Sequence, residues 1–106
     1  MINTKLASSL TSQEPPTVID VRSGFEYRNG HIPGALHIPL WKLFLRLASL
    51  PEDKNSCYVI TCEHGPRAQA ALGILKRSGF ACIELLDGHM SAWRKQGLPL
   101  SRGGNS

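Results

Sequence analysis

Long apolar runs are missing from this 106-residue chain, and no stretch approaches the ~20 apolar residues that a membrane-crossing helix needs. No membrane partner is therefore expected. The amino-terminal MINTKLASSLTSQ lacks a basic start followed by an apolar segment, so no secretory signal is expected. Cysteine is scarce and odd in number: Cys57, Cys62 and Cys82 form no C-x-x-C pair and have no spacing of a zinc site. That argues against a disulfide framework and against a metal, and for a reducing, cytoplasmic compartment. A Lys/Arg-rich run is also absent, and the net charge of +4 is mild, so nucleic acid is not an expected partner. There is no internal repeat and no low-complexity segment.

A hydrophobic content of 42% with 19% charged residues suits a globular fold. A chain of this size buries roughly 60–70% of its unfolded surface, enough for one core. One domain over residues 1–100 is expected, with 101–106 (SRGGNS) as a flexible tail. Strand and helix signals alternate. Ile2 suggests a first short strand, and Asn3 or Thr4 caps a helix carrying Leu6 and Leu10. TVIDV (17–21) reads as a buried strand. Ser23 stands three residues before Glu26, the capping-box spacing, in a helix that stops at Gly30. A proline- and glycine-bearing loop follows, extended near Leu36 to Ile38. WKLFLRLASL predicts a helix closed by Pro51, and SCYVIT a strand. RAQAALGILKRSG predicts a helix with Ala68, Ala71, Leu72 and Leu75 on one side and Gly79 at its C-terminal cap. ACIELL is a further strand and HMSAWRKQG a last helix. Strands separated by helices imply an α/β fold: a small, mostly parallel sheet flanked by helices on both faces. Ligands of such sheets bind beyond the carboxyl ends of the strands.

The segment CEHGPRA (62–68) lies at that address, between a strand and a helix. A loop of this kind turns backbone N–H groups and the positive helix end inward, forming an anion nest that favours a thiolate. Gly65 permits the turn. Arg67 adds a permanent charge and a planar fork of donors. Pro66 suits the first helical position. Cys62 is thus the candidate reactive thiol, whereas Cys57 and Cys82, in apolar strand runs, are expected to be inert core residues.

With these residues in place, the chain resembles a single-domain rhodanese. The resemblance runs from Ile2 to Pro99 and rests on VIDVR (18–22), FEYRNGHIPGALHIPL (25–40), CEHGPRA (62–68) and LLDGHMSAWRKQGLP (85–99). It implies a sulfurtransferase in which Cys62 takes a sulfane sulfur and carries it as a persulfide, with no cofactor. Glu63, His64, Gly65, Pro66 and Arg67 would form the substrate cradle, Arg67 holding the anionic donor or orienting the loop. The donor is expected to be a small anion of the thiosulfate type or a protein persulfide. The alternative is a sulfur-carrier or partner-binding module with little turnover. Related phosphatases have a cradle one residue longer; the four residues between Cys62 and Arg67 favour sulfur over phosphatase or arsenate reductase chemistry.

Two positions depart from the family pattern. Glu63 stands where many thiosulfate-using members carry a basic residue, and it is expected to weaken dianion binding. His89 replaces a second glycine after LLDG and is expected to be a solvent-exposed helix cap. Asp20, Arg22, Glu26, His31 and His37 are expected to be structural, His64 to be an exposed loop side chain, and Trp41 and Trp93 to pack on the core.

Overall fold

The computed structural model describes residues 16–103. The expected first strand at Ile2 and the helix carrying Leu6 and Leu10 lie outside the described residues. Four parallel strands, β1 (Thr17–Asp20), β2 (Leu36–His37), β3 (Cys57–Thr61) and β4 (Cys82–Leu85), are ordered β2-β1-β3-β4. The described helices are α1 (Gly24–Asn29), α2 (Leu40–Phe44), α3 (Pro66–Arg77) and α4 (His89–Lys95).

Strand side chains alternate between the two faces, as the period of two requires. Val18 and Val59 pack with Tyr27, Met90 and Trp93 on the face covered by α1 and α4. Ile19, Tyr58 and Ile60 pack with Leu43, Ala68, Ala71 and Leu75 under α2 and α3. Ile19 and Ile60 are fully buried at the centre, each contributing on the order of 1.5–3 kcal/mol. The capping box expected at Ser23 is present: its hydroxyl accepts the Glu26 N–H, and Glu26 accepts the Ser23 N–H.

The helix expected over WKLFLRLASL is shorter. It ends at Phe44, and Arg46 turns to φ +57°, where the Leu47 N–H closes back on the Lys42 carbonyl. Its apolar residues do not all reach the core: Trp41, expected to pack inward, is 53% exposed. Trp93 is buried as expected and donates to the Pro99 carbonyl at 2.7 Å. The stretch expected to be a tail is tied down at its start. His31 and Ser101 exchange backbone hydrogen bonds of 2.9 and 2.8 Å, and Gly103 donates to the Arg28 carbonyl.

The inert-core expectation for Cys57 and Cys82 is overturned, and with it the expectation that the chain carries no disulfide. Both are exposed, and they are joined by a disulfide. The parallel register places residue 57 opposite residue 82 at the amino ends of β3 and β4, with Cα atoms 4.6 Å apart. Each stands at the first position of its strand, where the covering helices no longer shield it. The bridge closes a separation of 25 residues, so the unfolded chain loses entropy. Reducing it, or replacing both cysteines by serine, is expected to lower stability by about 2–4 kcal/mol in urea denaturation. The surroundings of Cys62 should not change, because it lies at the opposite end of the sheet.

Candidate functional site

The chain leaves β3 at Thr61 and turns through Cys62, Glu63, His64 and Gly65 before α3 begins at Pro66. Cys62 is a free thiol with no solvent exposure, and its Sγ accepts the Gly65 N–H at 3.0 Å. Gly65 is required twice over. Its φ of +133° is a conformation that side chains rarely adopt, and a Cβ there would stand 3.3 Å from His89 Nε2. The loop is fastened to α4 from below: the Met90 and Ser91 N–H groups donate to the Cys62 and Glu63 carbonyls at 3.0 and 3.2 Å.

His89 corrects a sequence expectation. It is 7% exposed rather than a solvated cap, and its Nδ1 accepts the Cys62 N–H at 3.3 Å. That assigns the proton to Nε2, facing Gly65. Burial holds the imidazole below its usual 6.5; Asp87 opposes this shift and His64 adds to it. A base whose pKa is lowered on folding takes up more protons when unfolded. Its contribution is therefore complete above 6.5 and is lost as pH falls below that value. Replacing His89 by Leu is expected to cost about 1–3 kcal/mol, because a buried donor loses its acceptor. His89→Asn should cost less, since its carbonyl can take the place of Nδ1 and asparagine tolerates the φ of +54° found here. Urea denaturation across the range below neutral pH reads both: the Asn variant should also lose the histidine-linked decline.

The charged residues around the loop are already paired. Arg67 makes a two-pronged contact with Glu26, at 2.6 and 3.0 Å. The Arg67 guanidinium holds the Glu26 carboxyl down at about 2, so the pair persists well into acid. This ties the start of α3 to α1. Glu63 lies between two guanidinium groups, 3.5 Å from Arg22 NH1 and in contact with Arg94. Its charge is thus largely offset locally, which weakens the expectation that it repels an anion. Arg22 is buried on Asp20, as expected of a structural pair, and donates to the Gly30 carbonyl at 2.7 Å. His31 and His37 stack on opposite sides of Tyr27 at 3.8 and 4.4 Å, and each bonds a backbone carbonyl. Both are structural. His64 is exposed.

The structure therefore gathers Cys62, Gly65 and Arg67 as the sequence suggested, and adds Glu26, His89 and Arg94. The break in the LLDGH motif was the one local signal for His89. The contacts of Glu26 with Arg67 and of Arg94 with Glu63 span 41 and 31 residues and have no local signature. Among the described residues no cluster of His, Cys, Asp and Glu suits a metal ion, and no helix is long and apolar enough to cross a membrane.

Comparison with known proteins agrees with this geometry. The family model for the rhodanese-like domain matches residues 3–96. A sulfurtransferase from Allochromatium vinosum is 32% identical, with 90% of this chain and 87% of that protein aligned. A putative sulfur carrier protein, YrkF of Bacillus subtilis, is 39% identical over 65% of this chain and 36% of its own length. Two other curated relatives are likewise longer, the chain spanning 38% and 52% of them. The crystal structure of a rhodanese-like domain protein from Staphylococcus aureus superposes with a TM-score of 0.77 at 30% identity, covering 95% of this chain and 94% of that one. With a parallel sheet, a cysteine loop at its carboxyl edge and sequence similarity along nearly the whole domain, the chain belongs to the rhodanese-like family.

Proposed function

We propose that the protein is a sulfurtransferase that moves a sulfane sulfur through a persulfide on Cys62. The observation that supports this most directly is the single free thiol among the described residues, buried at the strand-to-helix turn with the Gly65 N–H on its sulfur. In the first half-reaction the Cys62 thiolate attacks the outer sulfur of the donor. A new S–S bond forms at Cys62, the donor's S–S bond breaks, and its electron pair leaves with the donor as sulfite or a thiolate. In the second, a thiophilic acceptor attacks the outer sulfur, and Cys62 departs as thiolate. No net oxidation occurs, so no redox cofactor is called for.

The Gly65 N–H stands ready to stabilise charge on sulfur in both halves. His64 and Glu63 border the turn, while Pro66 and Arg67 start the helix whose positive end faces it. Arg67 acts by holding the loop through Glu26 as much as by attracting a donor. The reading requires that Cys62 be free between turnovers; the Cys57–Cys82 bridge counts against the reducing, cytoplasmic setting expected from the cysteine count. Relatives named as sulfurtransferases and as a putative sulfur carrier lend support to turnover and carriage alike.

Incubating the reduced protein with thiosulfate, and separately with a small persulfide, tests the proposal by intact mass. One added sulfur that cyanide removes is expected; no mass increase with either donor would overturn it. Sustained production of thiocyanate would separate an enzyme from a carrier that loads without turning over.

A further inference from the structure

Trp41, Phe44, Leu45 and Leu47 are each more than half exposed, at 53, 62, 63 and 63%. Single exposed apolar residues are ordinary, but four within seven positions form a patch. Beside Phe44 lies an open groove of about 630 Å³ with Leu43, Leu50 and Ile74 in its floor. Its charged residues are Lys42, Arg46 and Arg77, with no carboxylate among the lining groups. Phe44 also borders a second cleft of about 310 Å³ that contains Trp41 and reaches Arg67 of the Cys62 turn. An apolar, cationic track thus runs along α2 to the edge of the candidate site.

The charges next to Cys62 are arranged differently. Arg67 is on Glu26, Arg22 on Asp20 and Arg94 on Glu63. A small dianion arriving there meets guanidinium groups that are already neutralised. Lys42, Arg46 and Arg77, which have no carboxylate partner among the described residues, lie along the groove, where only a larger molecule can use them and the thiol together.

We propose that this track docks an acidic, amphipathic segment of a protein donor whose persulfidated cysteine is thereby delivered to Cys62. The inference rests on the sulfur-transfer reading and names its substrate class. Cys62 thiolate attacks the outer sulfur of the partner's persulfide; the sulfur–sulfur bond to the partner breaks, and the partner's cysteine leaves as thiolate. A second copy of this chain is a poor occupant, since it brings a net charge of +4 against a basic groove. A concave groove also suits a protein segment better than a flat lipid surface.

The probe is a synthetic amphipathic helical peptide with glutamates on its polar face and a cysteine at one end. A control peptide carries lysines in place of the glutamates. With persulfidated peptides, the acidic one is expected to load Cys62 roughly tenfold faster at low salt, an advantage that shrinks as salt rises. Phe44→Ser and Arg46→Glu should each abolish that advantage, while loading from cysteine persulfide stays unchanged. Equal rates for the two peptides, or an advantage untouched by both variants, would overturn the proposal. So would a groove that instead mediates self-association by sedimentation, or that binds anionic phosphatidylserine vesicles but not the acidic peptide. Binding of the persulfide-free peptide, read by Trp41 fluorescence, decides docking separately. If no donor loads Cys62, the sulfur-transfer reading fails while this binding result still stands or falls alone.

Discussion

Cys62→Ser is expected to abolish sulfur loading completely, while the double replacement of Cys57 and Cys82 by serine leaves it intact. Serine is nearly isosteric and can still accept the Gly65 N–H that now lies 3.0 Å from Sγ, so the turn should keep its shape. What it cannot supply is the nucleophile. A serine hydroxyl stays protonated near neutral pH and needs a base to attack, whereas a thiol supplies thiolate and is intrinsically more reactive. Cys57 and Cys82 cannot stand in. They sit at the amino ends of their strands, five positions of β3 away from Cys62, or about 16 Å at the usual strand rise. They are also consumed in their own bridge. Intact-mass measurement after exposure to a small persulfide checks the claim. A cyanide-removable sulfur on the Cys62 variant would move the reactive thiol elsewhere.

Asp20→Ala is expected to destabilise the fold by about 3–5 kcal/mol. Asp20 is fully buried, and Arg22 is 2% exposed. The carboxylate accepts from Arg22 Nε at 3.0 Å, from NH2 at 2.8 Å and from the Arg22 backbone N–H at 3.0 Å. Removing it strands a guanidinium that has given up its water and keeps only the Gly30 carbonyl and a longer contact with Glu63. Asp20→Leu combined with Arg22→Met should recover much of the loss, because an apolar pair avoids both desolvated charges. Denaturant midpoints of the single and double variants measure this directly. A double variant as unstable as the single one would mean that Arg22 is needed for its reach to Gly30 and Glu63, and not merely neutralised by Asp20.

Legibility followed the range of the interactions. The capping box at Ser23 was readable because both partners lie within one helical turn. The cysteine turn was readable because glycine, proline and arginine sit within five residues of the thiol. His89 was misjudged because the five residues around it predict a helix start, while its burial depends on the turn after β3 packing over it. The short α2 was overestimated because apolar residues at close spacing serve equally well as a core stripe or an exposed surface. Which of these they become depends on what the rest of the fold places opposite.

Among the described residues, the alternation of strands and helices, the parallel α/β architecture and the position of Cys62 at a carboxyl edge were determined by the sequence alone. Hydrophobic period, caps and turn residues are local properties, and each acts within a few positions. Tertiary structure decided everything that joins distant segments. The parallel register brought Cys57 beside Cys82. The folding of the chain round the carboxyl edge of the sheet gave Arg67 at the start of α3 to Glu26 of α1, and the position of α4 under the turn gave the Cys62 N–H to His89. Charge pairing and disulfide formation depend on distances of a few ångströms between atoms many residues apart, and only the folded chain sets those distances.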